Sequence, residues 1–138
     1  MKTTSDIQKA YKIALDARRN SYSPYSKFKV GAALKLKGVK AAVGGCNVEN
    51  ASYGATLCAE RTALFAAVAQ NGKIKPEFLV IVTGEKNATV PCGLCLQALA
   101  EFCPDEMKVY LGNEKEILAE KKFKDFLPHA FRVFEAES

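Results

Sequence analysis

The amino-acid sequence predicts a three-layer α/β/α sandwich with a mixed sheet of about five strands, folded as a single domain over residues 1–138. Two observations lead to this prediction. Segments with helical spacing alternate along the chain with strand-like segments, an order that places helices on both faces of a sheet. The apolar run from Phe78 to Val82 is typical of a central strand that is covered on both sides. A chain of 138 residues is long enough for one hydrophobic core.

Each element follows from a local pattern. Apolar residues at helical spacing predict the helices, with Thr4 or Ser5 as the first cap, and period-two alternation predicts the first strand. Gly38 turns the chain between two antiparallel strands, and Gly72 ends the second helix. Pro91 is predicted at the first position of the third helix, where its missing N–H is tolerated. In order, the predicted elements are a helix to residue 19, strands 28–36 and 41–48, helix 57–70, strand 78–83, helix 92–102, strands 107–111 and 116–119, a short helix 123–127, and an apolar contact 131–134.

Composition and charge argue against several function classes. The formal charge is +5, and 16 of the 20 basic residues are lysines that are scattered singly. A nucleic-acid surface typically clusters arginines and interleaves aromatic residues, so no nucleic-acid partner is expected. The sequence shows no apolar stretch typical of a signal peptide or a membrane span, so we expect a cytoplasmic protein without a membrane partner.

The cysteines carry the strongest chemical signal. The chain has five cysteines, an odd number that does not suit a disulfide framework. Cys58, Cys92 and Cys95 fall where two helices are predicted to begin, and a helix N-terminus favours the thiolate form that zinc requires. Three protein ligands leave a fourth zinc position for water, as in catalytic sites. Glu60 is then placed to carry protons, and Arg61 to donate hydrogen bonds to the sulfurs.

Four motifs follow one another along the chain: PYSKFKVGAA at residues 24–33, GCNVENASY at 45–53, CAERTA at 58–63 and PCGLC at 91–95. The last two match the zinc deaminase signature, which is a His or Cys ligand, one residue, Glu, and later Pro-Cys-x-x-Cys. Together the four motifs resemble those of the small homotetrameric, zinc-dependent cytidine deaminases of the three-cysteine type. The resemblance covers nearly the whole chain, from Tyr22 to Phe131.

The resemblance implies a reaction and a cofactor. It implies hydrolytic deamination of free cytidine and deoxycytidine to uridine and deoxyuridine with release of ammonia, a step of pyrimidine salvage. One zinc ion per chain would be held by Cys58, Cys92 and Cys95. Glu60 would take a proton from the attacking water and return protons to the cytosine ring and its amino group.

The resemblance also implies residues that bind the substrate. Phe28 would pack against the pyrimidine, and Asn47 and Glu49 would hydrogen-bond a ribose hydroxyl. A carboxylate facing the sugar would repel a phosphate, which favours a free nucleoside over a nucleotide. The backbone at Ala59 would hold the edge of the base. Tyr53 and Phe131 match positions that reach or approach a neighbouring subunit's site, so we expect the homotetramer to complete the active site.

Three positions differ from the family pattern. Leu96 stands where an arginine usually follows the last cysteine, Val90 where a small hydroxyl residue usually precedes the proline, and His129 where glycine is common. None of the three is a predicted zinc ligand.

Three other functions remain as alternatives. A structural zinc module would close its site with a fourth thiolate from Cys46 or Cys103. A dithiol oxidoreductase would use Cys92 and Cys95 without a metal. A related deaminase would act on a nucleotide, a transfer RNA or an aminonucleoside antibiotic.

Overall fold

The structure of the chain is a computed structural model that describes residues 1–132. Residues 133 and 134 of the predicted C-terminal contact lie outside the described part. The helices and strands alternate much as predicted, with one 3₁₀ turn at Tyr53–Ala55. Their bounds are α1 Ser5–Arg19, β1 Gly31–Leu36, β2 Val43–Cys46, α2 Ala59–Asn71, β3 Pro76–Val82, α3 Gly93–Ala100, β4 Lys108–Gly112, β5 Ile117–Lys122 and α4 Phe123–Phe126.

The five strands form one mixed sheet in the order β2-β1-β3-β4-β5. β3 and β4 are parallel, and the other three pairs are antiparallel. Gly31 at the start of β1 lies between Cys46, at the end of β2, and Val82, at the end of β3. The segments before β1, after β2 and after β3 therefore meet at one end of the sheet, where the candidate site lies.

Helices cover both faces of this sheet, which confirms the predicted three-layer architecture. α1 packs with Ala33, Val80 and Tyr110 on one face. α2 and α3 pack with Leu34 and Leu79 on the other. Alternate residues of β1 point to opposite faces of the sheet. Because helices cover both faces, all six residues of this strand are buried. Among the described residues, none of the helices combines the length and the apolar character needed to span a bilayer.

Several element boundaries differ from the prediction. β1 begins at Gly31 rather than at residue 28, because the Asn47 side chain bonds the backbone before it: Val30 N donates to Asn47 Oδ1 over 2.9 Å, and Asn47 Nδ2 donates to Phe28 O over 2.7 Å. The prediction for Pro91 was wrong. α3 begins two residues later, at Gly93, because Cys92 has extended backbone angles and acts as the N-cap.

Leu96, which departs from the family pattern, is a core residue in this chain. Its exposed fraction is 5%, and it packs in the cluster between the sheet and the α2–α3 layer. Val90, which also departs from the family pattern, is 63% exposed, so Leu96 and Val90 lie in different environments.

Candidate active site

Two helix N-termini bring the three predicted zinc ligands together. Cys58 is the N-cap of α2 and Cys92 that of α3, with nearly the same extended backbone: φ −74° and ψ 159° for Cys58, and φ −75° and ψ 161° for Cys92. Cys95 lies in the first turn of α3, and its backbone N–H donates to Cys92 Sγ over 3.4 Å. The three Sγ atoms all lie within 4.8 Å of one another. Their convergence follows from the two helices starting side by side.

The donor set fits a zinc ion. Zinc–sulfur bonds of about 2.3 Å at tetrahedral angles place two sulfurs about 3.8 Å apart. The distance between Cys58 Sγ and Cys92 Sγ is 3.8 Å. Within residues 1–132, the group of possible metal ligands that the structure brings together contains these three cysteines and no fourth. Three thiols without a fourth ligand match a zinc site with an open position.

The thiols do not share the same proton affinity. Hydrogen bonds from the Cys95 thiol, which has the largest effect, and from Arg61 together lower the pKa of Cys58 to about 5. The same contact with Cys58, together with burial, raises the pKa of Cys95. One thiolate therefore forms readily, whereas three close negative charges need a cation among them.

Arg61 supplies a positive charge next to this cluster. Its Nη2 atom lies 3.7 Å from Cys58 Sγ and 3.4 Å from the carbonyl oxygen of Thr56. The guanidinium is thus held between the thiol and the segment that leads into α2. This geometry agrees with the predicted role of offsetting the thiolate charge, which remains a prediction.

Glu60 is the buried carboxyl of the site. It lies in the first turn of α2 and is 5% exposed. Burial raises the pKa of Glu60 to about 7, and the nearby charge of Cys58 acts in the same direction. A carboxyl group with a pKa near neutrality can both accept and return a proton, as general acid–base catalysis requires. Glu60 is not one of the three clustered metal ligands.

A cavity of about 220 Å³ opens beside the cysteines at the end of the sheet. It contains six of the predicted site residues and also several that sequence reasoning missed. Of the residues that were missed, Thr83 has a recognisable signal in the sequence. It directly follows a strand, and residues at such positions line ligand sites in α/β folds. The lining residues are Phe28, Val30, Asn47, Glu49, Thr56, Cys58, Glu60, Ile81, Thr83, Thr89, Val90 and Cys92.

Asn47 is fixed by hydrogen bonds to its own chain. Its Oδ1 atom accepts from Val30 N and from the hydroxyl of Ser21, and its Nδ2 atom donates to Phe28 O. The side-chain amide therefore holds the cavity wall at residues 28–30. An amide nitrogen carries two donors, so Asn47 can hold Phe28 and still donate to a ligand.

Glu49 lies on the same cavity wall and caps the turn before Phe28. Its Oε1 atom accepts from Tyr25 N over 2.9 Å and from Ser26 N over 3.1 Å, and its Oε2 atom accepts from Ser26 Oγ. The hydrogen bond from the Ser26 hydroxyl lowers the pKa of Glu49. Glu49 is thus an ionised, oriented acceptor at neutral pH.

Three predicted substrate contacts do not line this cavity in the single chain. Tyr53 is 77% exposed, packs edge-on against Tyr25 at a ring distance of 6.1 Å, and lines a neighbouring hollow of about 370 Å³. The side chain of Phe131 is largely exposed, and its carbonyl oxygen accepts from Gln97 Nε2 over 2.9 Å. Ala59 is fully buried at the start of α2. The substrate roles of these residues remain predictions.

The other two cysteines stand apart from the cluster. Cys46 ends β2 and is partly exposed, whereas Cys103 is 2% exposed in the core. Burial raises the pKa of Cys103 to about 12, which keeps this thiol neutral. Neither belongs to the group of clustered metal ligands in residues 1–132, which disfavours the structural zinc module with a fourth thiolate.

Comparisons with known proteins agree with this geometry. A family model described as the cytidine and deoxycytidylate deaminase zinc-binding region matches residues 4–111. The cytidine deaminase of Halalkalibacterium halodurans is 46% identical over 126 residues, which are 91% of this chain and 94% of that protein. The cytidine deaminase of Sporosarcina psychrophila is 44% identical and covers 91% of both chains.

Solved structures give the same result for the fold. The crystal structure of cytidine deaminase from Burkholderia pseudomallei superimposes with a TM-score of 0.82 at 39% identity, covering 94% of this chain and 100% of that chain. The cytidine deaminase from Mycobacterium tuberculosis gives a TM-score of 0.78 at 35% identity, covering 94% and 100%. The chain therefore belongs to the zinc-binding cytidine and deoxycytidylate deaminase family, a family of hydrolytic deaminases.

Proposed function

We propose that this protein deaminates free cytidine and deoxycytidine by hydrolysis, forming uridine and deoxyuridine and releasing ammonia. The observation that carries the proposal is the placement of Glu60 in the same cavity as Cys58 and Cys92. Phe28 and Glu49 line that cavity too, so one space holds a proton carrier, metal ligands, an aromatic ring and a polar acceptor. Relatives named cytidine deaminase support the choice of substrate.

The cofactor that fits is one zinc ion per chain, held by Cys58, Cys92 and Cys95. Zinc in such a site lowers the pKa of a water molecule and so supplies a nucleophile at neutral pH. The thiol cluster lies against the cavity that holds Glu60, so the substrate can approach the site from the cavity.

Glu60 performs the proton transfers of the proposed reaction. It accepts a proton from the attacking water as the water oxygen bonds to C4 of cytosine. It gives this proton to N3, takes a second proton from the hydroxyl now on C4, and passes that one to the amino group. The bond between C4 and the amino nitrogen then breaks, so ammonia leaves and a carbonyl group remains at C4. The pKa of about 7 lets the carboxyl group exist in both the required forms.

The substrate is proposed to lie along the wall formed by Phe28, Asn47 and Glu49. Phe28 packs against the pyrimidine, and the two polar side chains hold a sugar hydroxyl. Glu49 is ionised at neutral pH, and hydrogen bonds from Ser26 and Tyr25 lower its pKa further from the ordinary value. A negative charge at the sugar end disfavours a 5′-phosphate and a polynucleotide backbone, which leaves a free nucleoside as the best fit.

We also propose that four copies of the chain assemble and that neighbours complete each site. Tyr53 and Phe131 are large side chains, 77% and 65% exposed in the single chain. Large exposed apolar groups mark interaction surfaces when they lie together. Such an enzyme would work in cytoplasmic pyrimidine salvage, with no nucleic-acid or membrane partner.

A substrate panel tests this proposal. Purified protein with a measured zinc content is mixed with cytidine, deoxycytidine, cytidine 5′-monophosphate and a short cytosine-containing single-stranded DNA, and the ultraviolet absorbance is followed. We expect turnover of the two nucleosides with about one zinc per chain, and at least about 100-fold lower kcat/KM for the nucleotide. Turnover of the nucleotide or DNA alone would overturn the proposed substrate class. A metal-free protein with a reversible Cys92–Cys95 disulfide would favour the oxidoreductase.

A further inference from the structure

The hydroxyl of Ser26 contacts both parts of the proposed substrate wall. Ser26 Oγ donates to Glu49 Oε2, because an ionised carboxylate can only accept. The same oxygen accepts from Phe28 N over 3.0 Å. One serine side chain therefore connects the carboxylate at the sugar end with the backbone of the aromatic residue at the base end.

The contacts of Glu49 leave a defined place for a sugar hydroxyl. An ionised carboxylate offers about four acceptor positions. Two positions on Oε1 are used by the backbone N–H groups of Tyr25 and Ser26, and one on Oε2 is used by Ser26 Oγ. The remaining position lies on Oε2, the atom whose orientation depends on the serine hydroxyl. Removing that hydroxyl leaves Oε1 held by the two backbone N–H groups, but Oε2 loses the contact that orients it for the sugar hydroxyl.

The backbone between the two contacts is strained. Lys27 has a φ of 61°, in the left-handed region that residues other than glycine rarely adopt. Its N–H donates to Ser23 O over 3.0 Å. The hydrogen bonds of Ser26 lie on both sides of Lys27 and hold the turn in this form, since strained backbone persists only where its surroundings fix it.

We propose that Ser26 is a positioning residue for nucleoside recognition: through its hydroxyl it aims Glu49 at the sugar and keeps Phe28 on the cavity wall. The proposal rests on the proposed function, because it needs a nucleoside in the cavity. Ser26 itself lines the neighbouring hollow rather than the cavity with the cysteines, so it acts through Glu49 and Phe28.

The test compares two substrates that differ only in the sugar hydroxyls, cytidine and 2′,3′-dideoxycytidine. The quantity measured is the ratio of their kcat/KM values, for the parent and for Ser26→Ala. We expect the ratio to fall by about fivefold, mainly through KM for cytidine, because the variant loses the part of binding that depends on the hydroxyl. If Ser26→Ala lowered kcat/KM by the same factor for both substrates, or left both values unchanged, the proposed role of Ser26 through Glu49 would be overturned.

Two further variants complete the design. Ser26→Thr keeps the hydroxyl and should restore the parent ratio; a threonine variant that behaves like alanine contradicts the proposal. Ser52→Ala removes another exposed hydroxyl, from a side chain that does not cap the 3₁₀ turn beside it, and should leave the ratio unchanged. Zinc content and melting temperature are measured for each protein. A parent without activity on cytidine would overturn the proposed function itself, whereas an active parent with an unchanged ratio in Ser26→Ala overturns only this inference.

Discussion

Glu60 and Arg61 are neighbours in sequence but meet different surroundings. The Glu60 carboxyl is buried and lines the cavity, whereas the Arg61 guanidinium lies against Cys58 Sγ and the Thr56 carbonyl. A single helical turn thus places the proposed proton carrier on one side and the proposed charge partner of a thiolate on another. In this proposal neither residue needs to bind the metal.

Removing the charge of Arg61 is expected to weaken zinc binding. In Arg61→Gln the pKa of Cys58 rises, because a hydrogen-bond donor and a positive charge are lost, and protons then compete with the metal at higher pH. We expect about a tenfold loss of zinc affinity and metal release at higher pH than in the parent. The measurement is the zinc retained against a competing chelator across pH 5–7.

Arg19→Gln is the matched control, because Arg19 is an exposed arginine that pairs only weakly with Asp16 at 3.7 Å. Equal zinc retention in both arginine variants would show that Arg61 has no role in holding the thiolate.

At the scale of elements, the site depends on the close packing of α2 on β2. A side chain at Gly45 would clash with the backbone of α2: a Cβ atom there would lie 2.8 Å from Ala59 O and closer still to Ala63 N. At Gly44 the nearest atom is Ile13 Cγ2 at 3.1 Å, the end of a side chain that can move. The two adjacent glycines therefore face opposite layers with very different tolerance.

Gly45→Ala is expected to move the start of α2 and damage the metal site. We expect a loss of at least about 2 kcal/mol of unfolding free energy, because overpacking against backbone cannot relax locally. The zinc content should fall together with the stability, since Cys58 lies at the N-cap of α2. Denaturant unfolding and zinc analysis measure the two effects, with Gly44→Ala as the control. A Gly45→Ala protein as stable and as zinc-loaded as Gly44→Ala would contradict this account of the packing.

The sequence predicts the parts of the site that local rules determine. The placement of Cys58, Cys92 and Cys95 at two helix N-termini follows from the helical patterns predicted to begin near residues 57 and 92. The exact cap was missed because the proline rule places Pro91 inside the helix, whereas the Cys92 thiol caps it. Local rules do not show that Asn47 bonds residues 28–30, since those residues are 17 and 19 positions away and no periodic pattern links them.

Whole-molecule properties are harder to predict from one chain. The structure of a single chain leaves Tyr53 and Phe131 away from its own cavity, although both were predicted as substrate contacts. An assembly of several copies would reconcile the predicted substrate contacts with these positions, because exposed side chains of one copy can approach the cavity of another. The tetramer and these contacts stay predictions that mixing experiments can test.

Mixed assemblies should recover activity from two impaired variants. Glu60→Gln lacks the proton carrier, and Phe131→Ala lacks the side chain that is proposed to reach a neighbour's site. We expect Phe131→Ala to lose about tenfold in kcat/KM, because Phe131 is proposed to be one of the few anchor residues whose truncation is costly. When the two variants are coexpressed, a chain with intact Glu60 receives Phe131 from its neighbour, and activity should exceed the sum of the separate variants. Purely additive activity in a proven mixed tetramer would show that each site uses its own Phe131.

In the proposed reaction, one cavity combines a zinc ion with the proton carrier Glu60 to deaminate cytidine. The most direct test measures zinc per chain and cytidine turnover on the same preparations of the parent and Glu60→Gln. We predict about one zinc per chain in both proteins and at least a ~100-fold lower kcat in the variant, because the proton transfers are lost while the ligands remain. Near-normal turnover in Glu60→Gln with bound zinc would contradict the account.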